Sequence, residues 1–210
     1  VADGRRHGDP HLTDRGHRQA AETADRLATD GEYAELLVSP LIRARETAAP
    51  IAEALGLEPQ VVDDIQEITG DSWDDAPIDQ LQAIFEAERQ RPMEDWWEGF
   101  AGGETFRHFH DRISGAMDRI LDERGTVKRR EPHLWDVADD PGRIIIVAHG
   151  GTDAVALGLL LGLEPTPWEW ERFVSPHASI SRIAAKSLAG AWILALKSFA
   201  DVAHLSEVTY

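Results

Sequence analysis

Apolar positions in this chain fall into blocks whose spacing alternates between helix and strand. Ala20, Ala21, Ala24, Leu27 and Ala28 recur at helical intervals until Gly31 stops the run. Leu12-Thr13 opens that helix, with Thr13 as a plausible N-cap and Asp14 suited to the positive helix end. Ala34 to Val38 reads as a short buried strand, ended by Ser39-Pro40, and a helix from about Leu41 to Leu55 follows. Pro50 lacks an amide proton and is expected to kink or divide that helix. Gln60 to Ile65 reads as a second strand. Residues 66–103 are irregular and rich in Trp, Asp, Gly and Pro, with one helix near Ile78 to Glu88. They are expected to form an insertion over the sheet edge, where substrates are selected.

A long helix from about Glu104 to Glu123 carries Phe106, Phe109, Ile113, Met117, Ile120 and Leu121 on one face. Residues 125–142 are charged and read as loop. Arg143 to Ala148 reads as a central strand and Thr152 to Leu161 as its helix. Ala178 to Ala184 and Trp192 to Phe199 read as two final strands around Leu188-Ala189-Gly190. The alternation predicts one α/β domain over 1–210, a three-layer sandwich with a largely parallel central sheet flanked by helices. A chain of 210 residues is long enough for one good core.

Charge and composition narrow the partners. The formal net charge of −17 argues against nucleic acid or an anionic membrane as the main partner, though a small basic pocket remains compatible with it. The chain has no cysteine, which removes disulfides, thiol nucleophiles and thiolate zinc sites. It shows no uninterrupted apolar run near membrane-spanning length and no signal-peptide pattern at its start, so a soluble, cytoplasmic protein is expected. Oligomeric state is not legible.

Two histidine-glycine turns carry the chemistry. One is Arg6-His7-Gly8; the other, His149-Gly150-Gly151, ends the apolar run Ile144–Ala148. A strand that stops at His-Gly-Gly and continues into a helix sets a reactive side chain at the carboxyl edge of a sheet, where open α/β sheets bind ligands. The glycines let an anion approach the backbone, and the helix offers free N–H groups. Between the turns lie Leu12–Ala20 and Ser39-Pro40-Leu41-Ile42-Arg43-Ala44-Arg45-Glu46-Thr47-Ala48. In this order and spacing the four pieces closely resemble the histidine phosphatase, or phosphoglycerate mutase-like, superfamily over nearly the whole chain. Gly102-Gly103-Glu104-Thr105-Phe106 also resembles that family's Gly-Gly-Glu-Ser helix start.

The resemblance implies that His7 is the nucleophile, forming a phosphohistidine, and that Arg6, Arg43, His149 and Gly150 complete the phosphate pocket. Planar arginine forks suit the equatorial oxygens of a phosphoryl group, and two nearby guanidinium charges disfavour protonated His7. Metal and cofactor are not required, since the cations are built in. The resemblance places the general acid on the loop after the second strand, where Glu67 is the candidate and Asp71 the runner-up. A phosphate dianion beside Glu67 favours the protonated form that this role needs.

Two departures from the family pattern stand out. Asp3-Gly4-Arg5 does not read as the apolar strand that the family carries before its first histidine. Only Asp9-Pro10-His11 separate Gly8 from Leu12, where mutases of the family carry a longer basic segment; this favours a phosphatase. The expected enzyme is a histidine acid phosphatase-type phosphomonoesterase acting on a small phosphorylated metabolite. The alternatives are a phosphoglycerate mutase-type phosphotransferase and a non-catalytic phospholigand- or protein-binding domain.

Several other residues carry blander expectations. His108, His110 and Asp111 are read as solvated helix surface rather than a metal cluster, because positions two apart face different ways. Glu104 could approach the pocket or simply occupy a first helical turn. His177, just before a strand, either lines the pocket or does not. Trp73, Trp96 and Trp97 either wall the cleft or pack the insertion on the body. Lys128, Arg129 and Arg130 are read as solvated loop able to touch an acidic partner.

Overall fold

The computed structural model describes residues 8–70, 77–100, 102–124, 127–131, 134–138 and 142–209. In chain order the elements are α1 (Asp14–Ala28), β1 (Glu35–Val38), α2 (Ile42–Leu55), β2 (Pro59–Val61), α3 (Ile78–Arg89), α4 (Phe106–Glu123), β3 (Val127–Glu131), β4 (Leu134–Val137), β5 (Ile144–Val147), α5 (Gly150–Leu160), α6 (Glu169–Arg172), β6 (Ile180–Leu188) and β7 (Ala191–Asp201). Short 3-10 turns at Asp63–Ile65 and Met93–Glu98 complete the set.

The strands β2, β1 and β5 form a parallel sheet with β1 in the middle. Alternation along β1 sends its side chains to two different cores. Leu37 joins Ile65, Phe106, Phe109, Ile113, Met117 and Val155 on one face, beneath α4 and α5. Leu36 and Val38 join Ala24, Leu27, Ala44, Ala48 and Ile51 on the other, beneath α1 and α2. The register Leu36↔Ile145 carries the same division into β5: Ile145 packs with the second group, and Ile144 and Ile146 pack against the first. Three layers follow directly.

Helix starts are set by short side chains. Thr13 Oγ1 accepts from the Gly16 N–H at 3.1 Å, as expected. Thr105 does the same for His108 at 3.0 Å, so α4 begins at Phe106 and Glu104 lies outside it. α2 runs unbroken through Pro50, neither ended nor divided there. Its first free N–H, that of Ile42, is met by Asp9 Oδ1 at 2.7 Å, a cap supplied from far back in the chain.

Two expectations are corrected. The strand expected over 60–65 is only Pro59–Val61, and the chain then turns through Asp63–Ile65. Residues 125–142 are not simply loop: β3 and β4 pair antiparallel within them, so Lys128, Arg129 and Arg130 lie on a strand. The two final strands meet at Leu188-Ala189-Gly190, as read from the sequence. They form an antiparallel hairpin in a second sheet of order β3-β4-β7-β6. Trp135 and Leu194 form the core of that sheet, and Leu121 packs there.

The segment between β2 and α4 closes on itself where it leaves the body. Gly70 and Gly103 form a β-bridge, and the Glu104 N–H donates to the Thr69 carbonyl at 2.9 Å. A Cβ on Gly103 would lie 2.8 Å from that carbonyl, so only glycine fits. Phe85 of α3 packs on Phe100 and Trp168, with ring centroids 4.9 and 6.4 Å apart.

Candidate active site

The carboxyl ends of β1 and β5 lie side by side. The Ser39 N–H donates to the Val147 carbonyl at 3.0 Å, joining the residue after β1 to the end of β5. Two residues on, His149 leaves the strand in an extended conformation and becomes the N-cap of α5. Its Nε2 is 2.7 Å from the Ser39 hydroxyl, and both side chains are buried. Burial first, and the Arg43 charge second, push the His149 imidazole down to about 3. The ring is therefore neutral at physiological pH and serves as a fixed hydrogen-bonding group rather than a cation.

Arg43 rises from the first turn of α2. One guanidinium nitrogen, Nη1, donates to the Gly8 carbonyl at 3.2 Å and stands 3.6 Å from Asp9 Oδ1. Burial lowers its pKa, opposed by the charges of Glu67 and Asp9, but guanidinium stays protonated at any biological pH.

Glu67 lies on the loop after β2. Its Oε2 accepts from the Gly151 N–H at 2.9 Å and its Oε1 from the Ile68 N–H at 2.9 Å. The carboxylate therefore sits against the first turn of α5, where free N–H groups and the helix dipole favour negative charge. Below it, the Thr152 hydroxyl donates to the Gln66 carbonyl at 3.2 Å. Asp153 shares that first turn. Burial, then the Glu67 charge, push its carboxyl up to about 7.

Arg112 of α4 fixes the loop from the far side. It donates from Nε and Nη2 to the two oxygens of Glu104 at 2.9 and 2.7 Å, and from Nη1 to the carbonyls of Asp64 and Gln66 at 2.8 and 3.1 Å. Glu104 is thereby committed to Arg112 and His108, as a strut under the loop. His108 is bound to Glu104, and His110 stacks edge-on to Trp97. Trp97 packs on the core beside α4, and Trp96 donates to the Arg91 carbonyl at 2.8 Å.

Of the residues singled out in the sequence, Arg43, Glu67, His149 and Gly150 converge at this sheet edge. Arg6, His7, Asp71 and Trp73 lie outside the described residues. Gly8, the residue after His7, is held by Arg43. Sequence reasoning assigned no role to Ser39, which holds the His149 ring, or to Asp153. The Ser39-Pro40 pair at the strand end was the available signal for the first; nothing local marked the second.

The chain matches the family model for the histidine phosphatase superfamily, branch 1, over residues 3–194. A PE-PGRS family protein of Mycobacterium tuberculosis is 44% identical over 68 residues, which are 32% of this chain and 12% of that protein. The match thus spans about an eighth of that relative's length. Phosphoglycerate mutase-like protein 4 of Arabidopsis thaliana is 24% identical over 214 residues, covering 97% of this chain and 80% of its own. The mycobacterial glucosyl-3-phosphoglycerate phosphatase in complex with inorganic phosphate superposes with a TM-score of 0.70 at 25% identity, covering 96% of this chain and 94% of its own.

Proposed function

The chain belongs to the histidine phosphatase superfamily, phosphomonoester hydrolysis is the activity that fits it, and from that premise we propose a phosphatase that works through a phosphohistidine on a small phosphorylated metabolite. The whole chain, 1–210, acts as one domain, with residues 66–103 as an insertion beside the substrate.

His7 supplies the nucleophilic ring nitrogen. It attacks phosphorus as the ester P–O bond breaks, and Glu67 gives its proton to the departing oxygen. In the second half, Glu67 takes a proton from water, the water oxygen attacks phosphorus, and the P–N bond breaks to release inorganic phosphate. Arg6, Arg43, His149 and the Gly150 backbone hold the phosphoryl oxygens. The neutral His149 ring is held for this by the Ser39 hydroxyl, 2.7 Å from its Nε2.

The observation that carries this reading is the meeting of Arg43, His149 and Glu67 at the ends of β1 and β5: a buried cation, a neutral imidazole and a carboxylate within electrostatic reach of the cation. That combination suits an anion that must be held while one of its oxygens is protonated. A superfamily phosphatase bound to inorganic phosphate shares the fold at 25% identity, which supports a phosphate-sized occupant.

The test is rapid-quench labelling. Wild-type protein mixed with a 32P-labelled monoester should trap acid-labile, base-stable phosphate, and His7→Ala should trap none and turn over nothing. Substantial turnover by the variant would remove the nucleophile assignment. A phosphoglycerate mutase assay, with and without 2,3-bisphosphoglycerate, should show negligible transfer.

A further inference from the structure

The peptide group that leads into Glu67 is held from two helices at once. The Gln66 carbonyl lies in the same rigid plane as the Glu67 N–H. It accepts from the Thr152 hydroxyl of α5 at 3.2 Å and from Arg112 Nη1 of α4 at 3.1 Å. A carbonyl can only accept, so the direction of both bonds is fixed. The same hydroxyl lies 3.4 Å from the Ile65 carbonyl, and the same guanidinium nitrogen donates to the Asp64 carbonyl at 2.8 Å. Beyond Glu67, the Glu104 N–H holds the Thr69 carbonyl at 2.9 Å. The loop is thus pinned on both sides of the carboxylate.

Thr152 is buried, and its hydroxyl bonds outside its own helix. Thr23 and Thr47 instead direct theirs to the carbonyl four residues back in α1 and α2, at 2.8 and 2.9 Å. Two adjacent residues of α5 therefore grip two adjacent residues of the loop. The Gly151 N–H holds the Glu67 carboxylate at 2.9 Å, and Thr152 holds the peptide in front of it. These two grips differ in one respect. The Gly151 bond is strong to an ionised carboxylate and weakens when Glu67 carries a proton. The bonds to the Gln66 carbonyl do not depend on that proton.

We infer that Thr152 and Arg112 are positioning residues for Glu67, acting through the Gln66 carbonyl. By fixing the plane before Glu67 they restrict rotation about its N–Cα bond, and so keep its side chain aimed at the reacting oxygen whether it is protonated or ionised. This rests on the phosphatase reading above, with Glu67 as proton donor and then acceptor.

Phosphohistidine formation and hydrolysis are timed by rapid quench in wild type, Thr152→Val, Thr152→Ser and the double variant Arg112→Met/Glu104→Gln. The double variant removes the second donor without stranding the Glu104 charge. With an alkyl phosphate, Thr152→Val should slow formation by about tenfold, the size of one net hydrogen bond, and with a nitrophenyl phosphate by only about twofold. Hydrolysis of the phosphohistidine should slow alike whichever ester formed it. The double variant should show the same split between esters, and Thr152→Ser, which keeps the hydroxyl, should recover most of the loss. On a Glu67→Gln background Thr152→Val should slow formation no further, because no proton is left to aim. Equal slowing with both esters, no slowing with either, or a full tenfold loss added to that of Glu67→Gln would overturn the inference. If wild type traps no phosphohistidine, or Glu67→Gln changes nothing, it is the phosphatase reading that fails, and this inference with it.

Discussion

The Gly151 N–H donates to Glu67 Oε2 at 2.9 Å, and Gly151 has no room for a side chain on that face. A Cβ there would overlap Glu67 Oε1 and stand 3.2 Å from its Cδ. The second glycine of His149-Gly150-Gly151 thus does something the first does not, since a Cβ on Gly150 would meet open space. One glycine leaves the backbone accessible; the other lets a carboxylate lie against the helix terminus.

Gly151→Ala is therefore expected to displace Glu67 while leaving α5 intact, since alanine is a better helix former. Turnover of an alkyl phosphate should drop by about 10²-fold, a loss in the range set by positioned acid catalysis, with circular dichroism unchanged. Gly150→Ala should be far milder. Equal effects from the two substitutions would mean that the contact with Glu67 does not matter.

Arg112 reaches the same carboxylate indirectly, through the carbonyls of Asp64 and Gln66 just before it. Arg112→Met keeps the aliphatic stem but leaves the buried Glu104 with only the exposed His108 ring as a partner. Breaking a buried pair in this way costs about 3–5 kcal/mol. Chemical denaturation should show a loss of that order. Adding Glu104→Gln to the Arg112→Met background should recover part of it, because the stranded charge is then gone.

Two titrations oppose each other in stability. His149 has a folded value of about 3, below its ordinary 6.5, so the unfolded chain binds its proton first. Its contribution is full above pH 6.5 and is lost as pH falls towards 3. Asp153 has a folded value of about 7, above its ordinary 3.8, so the native state binds that proton first. Its contribution is full below pH 3.8 and is lost as pH rises through 7. Asp153→Asn removes the second effect alone. Its Tm should exceed that of wild type by several degrees at pH 8, and the gap should narrow towards pH 5. A gap constant with pH would mean that Asp153 ionises normally.

The elements legible in the sequence were those whose local pattern already matched their burial. Leu36, Leu37 and Val38, and Ile144 to Val147, are short apolar runs between turns, and both became strands of the parallel sheet. Arg43 and His149 were legible because the motifs that hold them are contiguous. Val127-Lys128-Arg129-Arg130-Glu131 was not, because nothing in its composition asks for a strand; pairing with Leu134–Val137 makes it one. Leu134-Trp135-Asp136-Val137 alternates, and that signal was available. The Gln19–Thr209 hydrogen bond joins positions 190 apart and has no sequence pattern at all. Ser39 and Asp153 owe their surroundings to neighbours that only folding supplies.

The role of Glu67 decides the chemistry. As the proton donor to the leaving oxygen, it should matter in proportion to how badly that oxygen needs a proton. Glu67→Gln keeps the shape, and one amide oxygen can still accept from the Gly151 N–H, so the loop should stay in place. Turnover of an alkyl phosphate should fall by about 10²–10⁴-fold. With a nitrophenyl phosphate, whose leaving group is stable as an anion, the deficit should shrink by at least tenfold. The rate of phosphohistidine hydrolysis, followed after a labelling pulse, should fall for every substrate alike, because the second step has lost its base whatever alcohol has departed. The alkaline limb of the alkyl phosphate profile should also change, since it reports loss of the acid in the first step. A deficit independent of the leaving group in the first step would assign Glu67 to binding. A near-normal rate on the alkyl ester would move the acid role elsewhere.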